Sequence, residues 1–221
     1  MSVSIENYRL LQLQFGENVQ IVAVSKLKPV EDILALYQLG QKDFGENYVQ
    51  ELSDKYELLP KDIRWHFIGH LQSNKVKFIA PFVYLIHGVD SEKLLIEINK
   101  QAIKNNRVIS CLLQVHIATE DTKFGMNEEE LANTIESFSR LKNVKIVGLM
   151  GMASFSENEE QVRKEFKQLK ILFEKYKAVS SENVALQFLS MGMSNDYSIA
   201  IEEGSNMVRI GSLLFGARPK L

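Results

Sequence analysis

The chain has 221 residues, of which 45% are hydrophobic and 24% are charged, a composition typical of a folded globular protein rather than a disordered one. Its 26 Lys and Arg residues nearly balance its 28 Asp and Glu residues, so no general positive charge is present to drive binding to nucleic acid or to an anionic membrane. The single cysteine, Cys111, excludes an intramolecular disulfide and is typical of a reducing compartment.

We expect a cytoplasmic protein that does not enter a membrane. The first 15 residues lack the basic segment and the apolar stretch of an export signal. No apolar stretch approaches the ~18 residues that a membrane-spanning helix needs. No linker rich in Pro, Gly or Ser divides the chain, so we expect one domain over residues 1–221.

Eight short segments rich in apolar and β-branched residues predict strands. Several of them are continuous apolar runs, which is typical of strands that are covered on both faces. The predicted strands are Val19–Ser25, Asp43–Gly45, Arg64–Ile68, Val83–His87, Val108–His116, Val144–Met150, Val184–Leu189 and Met207–Ile210.

Segments with helical spacing precede and separate these strands. A short helix is predicted at about Ile5–Leu13. After the first strand, Pro29 stands near a helix start and Gly40 stands where a left-handed C-terminal cap belongs. Before the longest helical segment, Ser156 and Glu159 have capping-box spacing.

Eight strands that alternate with helices predict an α/β protein with a parallel sheet. An open doubly wound sheet usually has fewer strands, and no glycine-rich dinucleotide fingerprint follows the first strand. We therefore predict a (β/α)8 barrel of the TIM type with an extra N-terminal helix. In such barrels the functional residues lie in the loops at the C-terminal ends of the strands.

The loops after strands seven and eight have the chemistry of a phosphate site, which is where TIM barrels often hold one. Gly211 lets the backbone approach a ligand, and Ser212 offers an amide and a hydroxyl. Ser194 is predicted to begin a helix that runs to about Glu203. The alternative is that Ser194 and Ser212 serve only as N-caps.

Lys26 follows directly on an apolar strand, at the predicted rim of the barrel. Partial desolvation there favours the neutral amine, which is nucleophilic and can form a Schiff base. The alternative is an ordinary lysine whose charge reaches water. A reactive amine and a phosphate site at one mouth together favour a ligand with an aldehyde and a phosphate, and pyridoxal 5′-phosphate (PLP) is such a ligand.

Six segments carry a resemblance that covers nearly the whole chain. They are AVSKLKP from Ala23, FGENYVQE from Phe44, WHFIGHLQSNK from Trp65, KFGM from Lys123, LSMGMSNDYSIAI from Leu189 and VRIGSLLFGAR from Val208. In this order they resemble the pyridoxal phosphate homeostasis protein family, single-domain proteins whose barrel is similar to the N-terminal domain of alanine racemase.

The resemblance implies roles for the residues at the predicted mouth. Lys26 would form the covalent aldimine with PLP, and Ser194, Gly211 and Ser212 would hold the phosphate. It implies no metal ligand.

Three further cofactor-binding residues are implied by the resemblance. Arg209 would donate to the pyridine nitrogen, Asn47 would lie near the ring, and Met150 would pack on the ring face. Because a guanidinium stays protonated far above neutral pH, Arg209 would leave the ring nitrogen unprotonated and the cofactor a weak electron sink. Enzymes that need a strong sink usually place a carboxylate there.

Four polar residues near the predicted mouth have no assigned role. We expect His66 to be satisfied by backbone groups and His70 to face solvent, rather than either to be catalytic. His116 stands where relatives commonly have an asparagine, which leaves the substrate side undefined. Lys123 is expected to be a solvated loop lysine, the alternative being contact with a ligand carboxylate.

These observations favour a carrier that holds PLP on Lys26 and buffers it or delivers it to PLP-requiring apoenzymes, without a committed turnover of its own. Alanine racemases take a catalytic tyrosine from a second domain of the partner subunit, and we expect no such domain here, which also favours a monomer. One alternative is a PLP-dependent racemase or related enzyme that uses His66 or His70 for proton transfer. Another is a cofactor-free, aldolase-like enzyme that uses Lys26 on a phosphorylated sugar.

Overall fold

A closed barrel of eight parallel strands forms the centre of the protein. The computed structural model describes residues 3–119, 124–179 and 181–216. Each strand pairs with its neighbours in chain order, and β1 pairs with β8. The strands are β1 (Gln20–Val24), β2 (Asp43–Glu46), β3 (Arg64–Phe67), β4 (Leu85–Val89), β5 (Ile109–Gln114), β6 (Val144–Met150), β7 (Val184–Met193) and β8 (Met207–Ile210). The predicted (β/α)8 architecture is confirmed.

Helices surround the barrel, and one precedes it. Within the described ranges they are α1 (Ile5–Phe15), α2 (Val30–Gln38), α3 (Val49–Leu58), α4 (Val76–Ile79), α5 (Glu92–Lys104), α6 (Glu128–Ser137), α7 (Glu159–Lys177), α8 (Tyr197–Glu202) and α9 (Ser212–Phe215). The predicted N-terminal helix is thus confirmed as α1. Of the helices in these ranges, none has the length and hydropathy that crossing a membrane requires.

Two helix boundaries test the predicted signals. Gly40, which follows α2, has a φ of 98°, so the predicted left-handed cap is confirmed. The predicted capping box of Ser156 and Glu159 is wrong. Asn158 caps α7 instead, because its side chain accepts a hydrogen bond from the Gln161 amide at 3.2 Å.

The fourth strand lies two residues later than predicted. The Val83 amide donates to the Ile79 carbonyl at 2.8 Å and so closes the turn that ends α4. The strand therefore begins at Leu85 and continues through Val89, which pairs with Leu113 of β5.

Two separate apolar cores pack against the two faces of the strands. The larger core lies between the strands and the helices and contains Trp65 and Phe44, both fully buried. The smaller cluster fills part of the barrel interior with residues from five strands, which are Val22, Leu85, Leu112, Met150 and Met207. Since successive residues of a strand face opposite sides, these positions identify which side chains point into the barrel.

Candidate functional site

A cavity of about 300 Å³ opens at the C-terminal ends of the strands, where a (β/α)8 barrel is expected to carry its function. It is lined by six of the seven residues predicted from the sequence, which are Lys26, Asn47, Ser194, Arg209, Gly211 and Ser212. The barrel thus brings residues from both ends of the chain to one mouth.

Met150 is not among the residues that line this cavity, and its contact with a ligand ring stays a prediction. It is 1% exposed and belongs to the interior cluster below the cavity. Met152 lines the cavity in its place. The reason is the alternation of side chains after β6, which brings the residue two positions later to the next higher layer on the same side.

Lys26 is the second residue of a turn that follows β1. The Lys28 amide donates to the Ser25 carbonyl at 3.0 Å and closes this turn. Ser25 itself is fully buried, whereas Lys26 is partly exposed at the cavity wall. The strand end therefore delivers the amine to the rim, as predicted.

Arg209 places a buried positive charge at the cavity. Its side chain is on β8, is 4% exposed and donates to the Ser190 carbonyl (2.9 Å), the Ser190 hydroxyl (2.7 Å) and the Gly151 carbonyl (3.1 Å). All three acceptors are neutral. Burial lowers the pKa of Arg209 to about 10, against the opposing effect of Asp196, so the guanidinium remains protonated at neutral pH.

A chain of buried hydrogen bonds crosses the barrel behind Arg209. The Ser190 hydroxyl lies 3.2 Å from His87 Nδ1, His87 Nε2 lies 2.9 Å from His66 Nδ1, and His66 Nε2 lies 2.9 Å from Asp43 Oδ1. The Ser190 hydroxyl accepts from Arg209, whereas the donor and acceptor roles in the bonds from Ser190 to His87 and from His87 to His66 depend on the tautomers of the two rings. Asp43 is a carboxylate and can only accept, so His66 Nε2 donates to it.

The charges along this chain are distributed unevenly. Burial lowers the pKa of His87 well below its usual value, and the neighbouring His66 and Arg209 lower it further. Burial would raise the pKa of Asp43, but the hydrogen bonds from His66 and Arg64 outweigh it and hold that pKa below its usual range. This series of hydrogen bonds therefore begins at the Arg209 cation beside the cavity and ends at the Asp43 carboxylate, which is paired with Arg64.

The four polar residues without a predicted role, which are His66, His70, His116 and Lys123, have different surroundings or lie outside the described residues. His66 is satisfied by side chains inside the barrel, not by backbone groups as predicted. His70 is exposed, as predicted, with its Nδ1 3.0 Å from Asp90 and its ring stacked on another aromatic ring. His66, His70 and His116 all lie outside the cavity lining, and Lys123 lies outside the described residues.

The loop after β7 differs from its prediction. The strand extends to Met193, and the turn that follows is closed by the Asp196 amide donating to the Met193 carbonyl at 3.1 Å. Helix α8 therefore begins at Tyr197, and the prediction that Ser194 begins it is wrong. The Ser194 hydroxyl instead accepts a hydrogen bond from the Gly211 amide at 3.1 Å and joins the two loops.

Two features of the cavity wall fit a polar ligand. Gly211 has a φ of −115°, and a Cβ there would come no nearer than 3.5 Å to any neighbouring atom, so neither the backbone nor the packing requires glycine. The buried Oδ1 of Asn47 has no hydrogen-bond partner within the described part of the chain. An occupant of the cavity would use both the space above Gly211 and the polar end of Asn47.

Sequence reasoning missed the interior partners of Arg209. His87 stands two residues after Leu85 in β4, a spacing that places both side chains inside the barrel. That spacing is the signal that could have identified it. Ser190 follows the predicted end of its strand, so its inward position depended on the longer strand that the structure shows. Among the described residues, no group of His, Cys, Asp or Glu is placed to hold a metal ion.

Comparisons with known proteins agree with this geometry. A family model described as alanine racemase, N-terminal domain, matches residues 4–219. The pyridoxal phosphate homeostasis protein of Aquifex aeolicus is 47% identical over 205 residues, which are 92% of this chain and 89% of that protein. The protein of the same name from Schizosaccharomyces pombe is 39% identical over 207 residues, which are 92% of this chain and 86% of that protein.

Solved structures show the same barrel. PipY of Synechococcus elongatus, solved with PLP bound, is 34% identical with a TM-score of 0.87, covering 96% of this chain and 99% of that one. An alanine racemase from Bartonella henselae with covalently bound pyridoxal phosphate is 18% identical with a TM-score of 0.69, covering 97% of this chain and 60% of that one. The likeness to the racemase is one of fold.

Proposed function

The chain belongs to the pyridoxal phosphate homeostasis proteins, within the family of the alanine racemase N-terminal domain, and on this premise we propose that it binds PLP covalently through Lys26 and acts as a cytoplasmic buffer or carrier of PLP. The observation that carries the proposal is the single cavity that Lys26 shares with Ser194, Arg209 and Ser212. The amine would react with the aldehyde of PLP, and the anion-binding groups at the same mouth would hold its phosphate.

The residues present fit the cofactor. When bound, PLP supplies an electrophilic aldehyde at one end and a phosphate at the other. Lys26 would supply the nucleophile, and the hydroxyls of Ser194 and Ser212 would hold the phosphate beside Gly211. The Ser194 hydroxyl can donate because its bond from the Gly211 amide uses only an acceptor site. Asn47 completes the polar lining.

Arg209 supports binding rather than turnover. Its guanidinium is protonated at neutral pH and has no acceptor site, so it would donate to the ring nitrogen of the cofactor without protonating it. A carbanion on a bound substrate would then receive little stabilisation from the ring. His66 and His70, the candidates for proton transfer, lie outside the cavity lining, which also favours a carrier over a racemase.

The proposal is tested by the absorption spectrum of the purified protein, followed by borohydride reduction and peptide mapping. We expect a yellow protein that is bleached by borohydride, with the added mass on Lys26. The mapping must distinguish Lys26 from Lys28, because both residues line the cavity. Lys26→Ala should abolish the reducible adduct, and an adduct on any other lysine would overturn the assignment.

Catalysis is tested separately with the loaded protein. On addition of individual L-amino acids we expect no sustained racemisation or decarboxylation. Steady turnover that Lys26→Ala abolishes would show that the protein is an enzyme of the same cofactor. A colourless protein that cleaves a phosphorylated sugar through Lys26 would indicate aldolase-like chemistry instead.

A further inference from the structure

We propose that Lys55 and Glu51, both on α3, are positioning residues that hold the turn carrying Lys26; this inference rests on the proposed role of Lys26. Neither side chain lines the cavity. Each acts on Lys26 through the backbone of an adjacent residue.

The turn that carries Lys26 has an unfavourable backbone conformation. Leu27, the next residue, has a φ of 59°, which lies in the left-handed region that side chains with a β-carbon rarely adopt. Glycine is the usual residue at such a position of a turn. Leu27 is 49% exposed, so burial of its side chain does not explain how the conformation is maintained.

Helix α3 holds this turn at the residues before and after Lys26. Lys55 Nζ donates to the Ser25 carbonyl at 2.7 Å, and the Leu27 amide donates to Glu51 Oε1 at 2.6 Å. Lys55 and Glu51 also bind each other, with Nζ 2.7 Å from Oε1. The two peptide groups that flank Lys26 are thus fixed to one ion pair.

The ion pair is itself anchored to the barrel wall. Lys55 Nζ makes its third hydrogen bond to Glu46 Oε1 at 2.8 Å, and the Ser25 hydroxyl donates to the same oxygen at 2.6 Å. All three hydrogens of the ammonium are therefore used, and Lys55 is only 6% exposed. An ammonium with three fixed acceptors holds the Ser25 carbonyl in one position.

The arrangement is a costly one if its only purpose is stability. One ammonium serves two carboxylates, and the buried Oε2 atoms of both Glu46 and Glu51 have no hydrogen-bond partner in the described part of the chain. Apolar residues of similar size often stabilise a fold as well as buried ion pairs do. Its location, directly behind the proposed reactive lysine, is what assigns it a role in positioning.

The experiment compares Lys55→Met, Glu51→Ala and Glu51→Gln with the unmodified protein. PLP affinity is measured by absorption titration, and the reactivity of Lys26 in the ligand-free protein by limited acetylation and peptide mapping. We expect Lys55→Met and Glu51→Ala each to lower PLP affinity and Lys26 acetylation about tenfold, the effect of losing a charged hydrogen bond. Glu51→Gln keeps an acceptor for the Leu27 amide and should therefore lower PLP affinity and Lys26 acetylation less than Glu51→Ala does.

Two controls separate positioning from a general loss of stability. Lys42→Met removes a lysine from a surface ion pair with Asp62 and should leave both readouts unchanged. Leu27→Gly removes the conformational strain of the turn, so its addition to Lys55→Met should restore part of the Lys26 reactivity. If Lys55 only stabilised the fold, adding Leu27→Gly to Lys55→Met would not restore the reactivity of Lys26.

The outcomes distinguish the two proposals. If the unmodified protein forms no reducible adduct on Lys26, the proposed function fails. If it forms the adduct, and both Lys55→Met and Glu51→Ala retain full PLP affinity and Lys26 reactivity, the positioning role alone is wrong. Should Lys55→Met fail to fold, the comparison of Glu51→Ala with Glu51→Gln decides, since Glu51 is partly exposed.

Discussion

Two glycines beside the cavity are glycine for different physical reasons. A Cβ at Gly69 would lie 2.4 Å from the Asn47 carbonyl oxygen, so the approach of two backbone segments excludes any side chain there. A Cβ at Gly211 would meet only ordinary contacts. The fold therefore requires glycine at position 69, whereas no packing contact in the described part of the chain requires it at position 211.

We therefore predict that Gly211→Ala mainly affects PLP binding, whereas Gly69→Ala mainly affects stability. Gly211→Ala should change the free energy of unfolding of the ligand-free protein by less than about 0.5 kcal/mol, but weaken PLP binding about tenfold. Gly69→Ala should destabilise the ligand-free protein by about 1–3 kcal/mol, because backbone must move. Urea unfolding and absorption titration of both variants check this. Equal destabilisation of the two ligand-free proteins would contradict the assignment of Gly211 to the ligand.

A residue of the site could be predicted from the sequence where it directly follows a strand. Lys26 follows an apolar strand, and a barrel directs such a position to its mouth, whereas the place of Arg209 at the site was implied by the family resemblance. Met150 and Met152 are both apolar residues facing the same side, and only the height of the layers places Met152, and not Met150, in the cavity lining. The link from Lys55 to the Ser25 carbonyl spans 30 residues and depends on the packing of α3 on the barrel, which no local pattern encodes.

At the scale of elements, polar groups from several strands share the barrel interior. β8, β7, β4, β3 and β2 each contribute one member of the hydrogen-bonded chain from Arg209 to Asp43. Each donor in it has an acceptor, so the interior accommodates them without an unsatisfied group along the chain. The burial of His87 beside the Arg209 cation requires this ring to remain neutral.

This requirement predicts a pH dependence of stability. Because burial lowers the pKa of folded His87 well below 6.5, the unfolded state binds a proton that the folded state does not as the pH falls below about 6.5. His87 stabilises the fold fully above that pH and progressively less below it, with a slope of up to about 1.4 kcal/mol per pH unit. His87→Gln should lower this slope.

Urea unfolding between pH 7.5 and 5 measures the effect. His70→Gln, at an exposed ring, is the matched control for replacing a histidine by glutamine. The same acid slope in His87→Gln as in the unmodified protein would show that other groups carry the pH dependence.

Element boundaries were less predictable than the elements themselves. Apolar runs predicted all eight strands, but the extension of β7 to Met193 depends on its pairing of Met193 with Arg209 of β8. That pairing displaces the start of α8 to Tyr197. The phosphate loop predicted around Ser194 therefore has a different shape, although Ser194 still lines the cavity.

At the scale of the whole molecule, the cavity exists only when the barrel is closed. β1, which precedes Lys26, pairs with β8, which carries Arg209, through a register that joins Gln20 to Met207. A ligand that binds at this junction binds the folded state alone, so binding and folding are linked.

We predict that PLP stabilises the protein against urea. At a free concentration of about 100 times its dissociation constant, PLP should raise the free energy of unfolding by about 2.7 kcal/mol. Lys26→Ala at the same concentration should gain much less, because it lacks the covalent bond. An equal gain in both proteins would show that Lys26 contributes nothing to retention.

The pairing of the first strand with the last also bears on synthesis. Lys26 leaves the ribosome early, whereas Arg209 follows it by 183 residues, and the amide of Ser4 can bond to the carbonyl of Leu214, at 2.8 Å, only after that. A nascent chain therefore presents a lysine without the groups that would retain the vitamin. If Lys26 binds the cofactor as proposed, loading requires that β8 has joined β1, so the colour of the loaded protein would report closure of the barrel.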